Sequence, residues 1–346
     1  MGYVLRIVIE FLFIALIFTW FFIAIVLYVK KKSKKSYQRI EKVFAEIVGL
    51  HLYGTGTKNK SVKGIKRTFL AVGVHQGNPV NVQTVIDLMI RTQRMILGKN
   101  HEKLKLLYPQ LPPYNTSIKK VRSRYWYNKA RGIREIYEMS QSQYLQEILP
   151  YRNHKNLYVR REAQIALVVF LGWKSLRFLP YVKKNFTLWQ QIKIVEKLHD
   201  LYPKIEVHFL RKAYDVDTNH GKELLMRIIR KFQIYEEVDY IVFQLAAEDS
   251  DVRLAALDCL SSFSLNLSQL HTLKSLFWNL KNSEQQELAV KLINEAEPET
   301  DVSFYIQLLK HPNDSIKLNS AEILWNNGYK EEVEQFYYSQ YQTVAD

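Results

Sequence analysis

The 346-residue sequence predicts an all-α protein: a solenoid of about six to seven helical hairpins, preceded by one transmembrane helix and a helical adaptor region. Three observations predict it. A repeat of about 31 residues runs through the last two-thirds of the chain, an almost uninterrupted apolar stretch covers residues 5–29, and a lysine cluster follows that stretch directly. A fixed period of this size marks stacked helical units. An apolar helix of 25 residues, rising about 1.5 Å per residue, exceeds the ~30 Å hydrocarbon thickness of a bilayer.

Three copies of the repeat align without gaps: Val159-Arg160-x-x-Ala163-x-x-Ala166-Leu167, Val252-Arg253-x-x-Ala256-x-x-Cys259-Leu260 and Ile316-Lys317-x-x-Ser320-x-x-Ile323-Leu324. Stepping by the period adds anchors at Gln190, Gly221 and Gln285, with spacings of 31, 31, 31, 33 and 31 residues. One further step back reaches Asn128, with Gly132 and Ile136 in the small and large apolar slots of a divergent seventh unit. Positions four, seven and eight after an anchor share one helix face. The small residue there (Ala163, Ala256, Ala289 or Ser320) lets a neighbouring helix approach, and the leucine or isoleucine fills the layer between units. Asn156, Asp249 with Asp251, and Asn313 with Asp314 supply cap-type side chains ahead of these inner helices. Second amphipathic segments are expected at 176–184, 205–214, 238–247, 270–280 and 302–309.

These residues resemble the HEAT-repeat family, and the short period and Val-Arg-x-x-Ala core look most like its bilin-lyase-like subgroup. The likeness covers roughly residues 125 to 330. It implies a right-handed α-solenoid of HEAT-like hairpins and says little about chemistry. The repeated apolar positions are read as core, and Arg160, Arg253 and Lys317 as inter-repeat polar contacts rather than ligand contacts. Gln191 and Gln286 replace the basic residue in two units and Lys222 keeps it in another, so no continuous basic ladder is expected.

The apolar stretch 5–29 reads as an uncleaved anchor rather than a removed signal, because its apolar run is long and no small-x-small site precedes the lysines. Lys30, Lys31, Lys32, Lys34 and Lys35 stand against a lone Arg6 on the other flank. The positive-inside rule then leaves residues 1–4 outside and the solenoid cytoplasmic, as in a single-pass protein of a bacterial inner membrane. Arg6 and Glu10, one helical turn apart, are read as an interfacial pair. Expected boundaries are 30–124 for a basic juxtamembrane and adaptor region and 125–346 for the solenoid with its C-terminal cap.

The net charge of +15 is divided unevenly. Residues 1–161 hold 29 Lys and Arg against 8 Asp and Glu, whereas 162–346 hold 20 against 26. The basic end is drawn to anionic headgroups, with Lys30, Lys31, Lys32, Lys34, Lys35 and Arg39 as the membrane-surface residues. The single cysteine, Cys259, occupies a core slot and excludes an intramolecular disulfide.

In the adaptor, residues 37–50 read as an amphipathic helix continuing from the lysines, and 80–97 as a helix opened by Asn78-Pro79. Six of the twelve glycines fall between Gly49 and Gly77, which predicts loops or a short hairpin. Leu111-Pro112-Pro113 marks a break before a helix carrying Arg122 to Met139. Gly54-Thr55-Gly56-Thr57-Lys58 lacks the spacing of a phosphate loop and reads as a turn. Tyr125-Trp126-Tyr127 lies among Arg122, Arg124, Lys129, Arg131 and Arg134. Such a mixture can stack bases and neutralise phosphates, or lie at a lipid interface. Burial of Trp126 with the basic residues outward is the expected arrangement, and Arg122, Arg124, Trp126, Arg131 and Arg134 are the candidate partner-binding residues.

No two of the nine histidines are spaced as a metal-ligand pair, and no nucleophile elbow, kinase or nucleotide fingerprint occurs. The sequence therefore assigns no catalytic, cofactor-binding or metal residue, no cofactor and no small-molecule substrate. The expected function is a membrane-anchored, non-enzymatic scaffold offering a cytoplasmic surface to a protein partner such as a membrane enzyme or transport complex. Nucleic-acid binding through the basic first half is the alternative, disfavoured because the strongest lysine cluster adjoins the span. A bilin-lyase-like enzyme or tetrapyrrole chaperone is a second alternative, implied by the resemblance alone.

Overall fold

Helical periodicity dominates the chain, and the computed structural model is all-helical, with eighteen α-helices and no strand among the described residues. The described backbone covers residues 2–54, 61–96 and 98–345, with side chains described for 12–54, 61–96 and 98–338. The side chains of Arg6 and Glu10, and the 55–58 part of the glycine-threonine turn, lie outside the described residues. The chain forms two compact units, 1–166 and 167–346.

Unit one begins with α1 (Gly2–Tyr53), 52 residues without a break. From Leu12 to Val29 its side chains are exposed on every face, and this part is long and apolar enough to cross a membrane. Lys30, Lys31, Lys32, Lys34, Lys35 and Arg39 follow, all exposed and without an ion pair among the described residues. Then one face closes: Ile40, Phe44, Ile47, Val48 and Leu52 are buried at helical spacing in a core shared with Ile65, Phe69, Val85, Ile86, Met89 and Tyr108. The amphipathic helix expected at 37–50 is thus the continuation of the apolar one.

The glycine-rich stretch differs from expectation, because it contains α2 (Val62–Ala71). Ser61 caps it by accepting from the Gly64 amide, and Ile65 and Phe69, one turn apart, bury its face. Next, α3 (Pro79–Met95) starts where Asn78 accepts from the Asn81 amide and Pro79 takes the first helical position. It packs on α1, where Ser36 Oγ donates to Asn81 Oδ1 at 3.0 Å. After α4 (Lys99–Leu107) come α5 (Pro112–Val121) and α6 (Trp126–Glu138), where one helix had been expected from Arg122. The double proline opens α5, and the 124/125 boundary falls in the turn between the two.

The repeat anchors coincide with helix starts. Asn128, Val159, Gln190, Gly221, Val252, Gln285 and Ile316 are each the third residue of a helix: α6, α8 (Leu157–Leu171), α9 (Leu188–Leu201), α11 (Asn219–Phe232), α13 (Ser250–Leu260), α15 (Ser283–Ala296) and α17 (Asp314–Asn326). All but Asn128 are buried, whatever their chemistry. Asn156, Asp249 and Asn313 cap α8, α13 and α17 as expected. Within unit two, α9, α11, α13, α15 and α17 pack each on the next. Short partners α10 (Val207–Arg211), α12 (Val238–Gln244), α14 (Leu267–Phe277) and α16 (Val302–Leu308) lie between them in sequence. The segment expected at 176–184 is instead a 3-10 run, Gly172–Tyr181. Gly172 ends α8 at φ +56°, its bare Cα leaves room for the Tyr202 ring, and Pro180 removes a helical donor.

Of the basic residues expected to join repeats, only Arg253 reaches the next one, at Gln285. Lys317 pairs with Asp314 on its own helix and Arg160 turns back to its own preceding loop, because a carbonyl or carboxylate close in sequence is nearer than the neighbouring repeat. Arg160 donates to the His154 carbonyl, Arg253 to that of Ala247, and Gln286 to that of Leu280, each six residues back. Between repeats, Gln285 donates to the Ser250 carbonyl at 2.7 Å and accepts from Arg253 Nε. Cys259 is buried, and burial pushes its thiol up to about 11, as a core residue requires. The C-terminal α18 (Lys330–Ala345) packs on α16 and α17.

Two predictions follow from this packing. A Cβ on Gly132 would lie 2.5 Å from the Val121 amide nitrogen and 2.7 Å from Lys120 Cβ, because α5 and α6 are in close contact there. Gly132→Ala should destabilise the protein by about 1–3 kcal/mol, whereas Gly49→Ala, with nothing within 4 Å on α1, should gain about 0.5–1 kcal/mol, both read by thermal unfolding. Burial holds His154, His220 and His311 below the usual imidazole range. Below about pH 6.5 the unfolded state takes up protons that these rings refuse, so stability should be full above that pH and fall as pH drops through it. Replacing His220, which packs edge-on against Phe186 at 5.2 Å, with Phe should flatten the pH dependence of Tm between pH 7 and 5.

Candidate functional site

Three of the candidate partner-binding residues, Trp126, Arg131 and Arg134, line one open groove of about 690 Å³ on unit one. Its walls come from α3 (Asp87, Ile90, Arg91, Arg94, Met95), α6 (also Tyr127, Ala130 and Glu135) and the start of α8 (Tyr158, Arg161, Glu162). The other two candidates are placed elsewhere. Arg122 forms a two-pronged pair with Glu147, Nε to Oε1 at 2.9 Å and Nη2 to Oε2 at 3.2 Å, and Arg124 donates to the Tyr125 hydroxyl at 2.7 Å.

Trp126 is not buried as expected; it is 46% exposed. Its position, one turn before Ala130, continues the buried face of α6, but α5 ends at Val121 and leaves that first turn uncovered. The indole instead stacks on Tyr158 at 5.2 Å and 20°, while Tyr127 meets it edge-on at 5.9 Å. Arg161 lies over the Tyr158 ring at 5.4 Å. Aromatic and guanidinium faces thus form one side of the groove, and Met95, 74% exposed, forms part of the other.

A charge network underlies the surface. Glu135, 2% exposed, accepts from Ser117 Oγ at 2.6 Å, Lys120 Nζ at 2.7 Å and Arg131 Nε at 3.2 Å. The Tyr108 hydroxyl continues the chain to Ser117 at 2.6 Å. Burial lowers the Lys120 ammonium below its ordinary value, and the Glu135 carboxylate opposes that shift. Arg94 pairs with the buried Glu138, which holds its guanidinium above the ordinary range. Arg131 reaches Asp87 at 3.4 Å, and Arg161 reaches Glu162 at 2.8 Å. Tyr137 donates to Glu162 at 2.8 Å and so ties α6 to α8. Arg134 has no ion pair among the described residues, and Arg91 has only a long one to Glu41 at 3.9 Å.

A serine, a carboxylate and a lysine within hydrogen-bond reach have the outline of a catalytic group. Ser117 is fully buried, however, so its hydroxyl braces the junction of α5 and α6 instead of meeting the groove. Among the described residues, no group of three His, Cys, Asp or Glu side chains is arranged to hold a metal ion. What the groove can do chemically is hold an anionic group on two uncommitted guanidinium forks beside an aromatic and apolar lip.

Sequence reasoning found the α6 half of the groove and missed Arg91, Arg94, Met95, Tyr158 and Arg161. The α3 half lies more than 30 residues upstream, with no local pattern linking it to Trp126. A second, smaller groove on unit two, between α15 and α17, is lined by Glu284, Glu287, Glu322 and four asparagines.

No protein-family model matches the chain, and no curated protein matches it. Among solved structures, a crystal structure of an engineered protein is similar over 82% of this chain and 87% of its own, at 12% identity and a TM-score of 0.33, a likeness too distant to define the fold.

The buried network generates a prediction. Glu135→Ala strands Lys120 without its carboxylate and should cost about 3–5 kcal/mol. Loss of Arg122, whose side chain is 63% exposed and whose pair with Glu147 is screened by solvent, should leave stability nearly unchanged. Denaturant unfolding of the two variants checks the contrast.

Proposed function

We propose that the protein is a membrane-anchored, non-enzymatic scaffold whose repeated hairpins wind as a right-handed HEAT-like solenoid and offer a docking surface to a membrane-associated protein complex. The observation that carries this reading is α1, one unbroken helix that is apolar and exposed from Leu12 to Val29 and packed into a folded core from Ile40 onward. An exposed apolar stretch of this length is stable in water only if something covers it, and a bilayer does so along its whole length. The lysines after Val29 support a cytoplasmic position for the folded part. The register of the anchors, each the third residue of its helix, and the packing of α9, α11, α13, α15 and α17 each on the next support the solenoid. The second apolar helix, within residues Leu157–Tyr181, is mostly buried and belongs to the protein core.

The mechanism of such a scaffold is localisation: a tethered docking surface raises the effective concentration of its partner without new contacts. The surface of the repeats in unit two, where α9, α11, α13, α15 and α17 pack each on the next, is the place for docking in this reading. The full chain should stay with membranes through an alkaline carbonate wash, and crosslinking in native membranes should capture the same membrane protein repeatedly, with recovery lost when residues 5–29 are removed. Release by carbonate would overturn the anchoring. Turnover of a substrate by the purified chain alone would overturn the non-enzymatic assignment.

A further inference from the structure

We infer that the arginine and aromatic groove of unit one is a headgroup site for an anionic phospholipid of the same membrane that receives α1, an inference that rests on the anchoring proposed above. The first support is position. Arg91, in the groove wall, lies 3.4 Å from the Tyr37 hydroxyl and 3.9 Å from Glu41. Tyr37 is eight residues beyond Val29 on the same helix, or about 12 Å along its axis. The headgroup layer occupies about 5–8 Å beyond the hydrocarbon edge. The groove wall therefore stands within about one Debye length, ~8 Å, of lipid phosphates, a gap that a long arginine side chain largely spans.

Chemistry is the second support. Arg91 and Arg134 are the two groove cations not held by a close carboxylate, and both are exposed. A phosphodiester carries one negative charge on two equivalent oxygens, which suits a guanidinium fork. Beside them stand Trp126, Tyr127 and Met95, exposed by 46, 54 and 74%. Trp and Tyr are the side chains that settle at headgroup level, with their rings against glycerol and upper acyl groups. An acidic protein segment fits less well. It would bring several carboxylates against Asp87, Glu135 and Glu162, already in the groove, and would leave Met95 without an apolar neighbour. A single lipid meets two forks and an apolar lip with one charge.

The test uses the full chain in nanodiscs of phosphatidylcholine, alone or with about one-third phosphatidylglycerol. A trace of phosphatidylglycerol carries a photoreactive group close to its glycerol, and adducts are located by mass spectrometry. Adducts are expected at residues 90–95 and 126–134 in addition to the lysines of α1. Replacing Arg91 and Arg134 together by alanine should lower the groove adducts about fivefold or more while those at residues 30–35 change less than about twofold. Unchanged circular dichroism and thermal unfolding of the double variant keep the comparison free of folding effects. Adducts confined to α1, groove adducts indifferent to the double substitution, or groove adducts abolished by millimolar inorganic phosphate would each overturn the headgroup site. A chain that fails to stay with the nanodisc at all would overturn the anchoring instead, so the two failures are distinguishable.

Discussion

Everything in unit one depends on the continuity of α1. A helix that exposes apolar side chains from Leu12 to Val29 and buries one face from Ile40 onward cannot rotate or slide in one part without moving the other. The core contacts of Ile40, Phe44, Ile47, Val48 and Leu52 fix its rotation, and Lys103 Nζ, donating to the Leu52 carbonyl at 3.0 Å, secures its far end. There is no glycine or proline between Leu12 and Gly49 to serve as a joint. The folded part of unit one is therefore held at a set height and rotation relative to the apolar stretch, unlike a domain hung on a flexible linker.

That rigidity gives the groove its meaning. Arginines are common on protein surfaces, and most of those in the groove are committed to Asp87, Glu135, Glu138 or Glu162; Arg94–Glu138 and Arg131–Asp87 join α3 to α6, and Tyr137, donating to Glu162, joins α6 to α8. The buried carboxylates take the first claim on positive charge and leave Arg91 and Arg134 for an external anion. In unit two Arg253 and Gln286, after their anchors, and the anchor Gln285 are spent on the carbonyls of preceding turns and on adjacent repeats. The repeat chemistry that gives the sequence its period is thus structural, and the unsatisfied chemistry gathers in the less regular first unit.

The sequence was legible where structure is local. A 31-residue period placed seven anchors at the same helical position, and the caps at Asn156, Asp249 and Asn313 are the side chains whose short-range bonds a sequence window contains. The small slot at Gly132 was readable for the same reason, and there α5 approaches α6 too closely to admit a Cβ. Legibility ended where tertiary contacts override propensity. The glycines before α2 suggested loops, yet Ile65 and Phe69 have a core to enter and the helix forms. Gly172 and Pro180 turned an amphipathic segment into a 3-10 run. Trp126 followed the apolar period and still emerged exposed, because the helix that would have covered it ends at Val121 and Tyr158 arrives from a later repeat. Five of the groove's fourteen lining residues come from α3, and no periodicity in α6 could have pointed to them.

The continuity of α1 can be measured directly by placing a spin label at each residue from 20 to 50 of the full chain in lipid nanodiscs and recording its accessibility to oxygen and to a water-soluble relaxant. The account predicts oxygen accessibility on every face up to residue 29, a crossover at the lysines, and then a single protected face repeating every 3.6 residues through Ile40, Phe44 and Ile47 in phase with the helix before it. A loss of helical phase between residues 30 and 40, or water accessibility on all faces of 20–29, would contradict it.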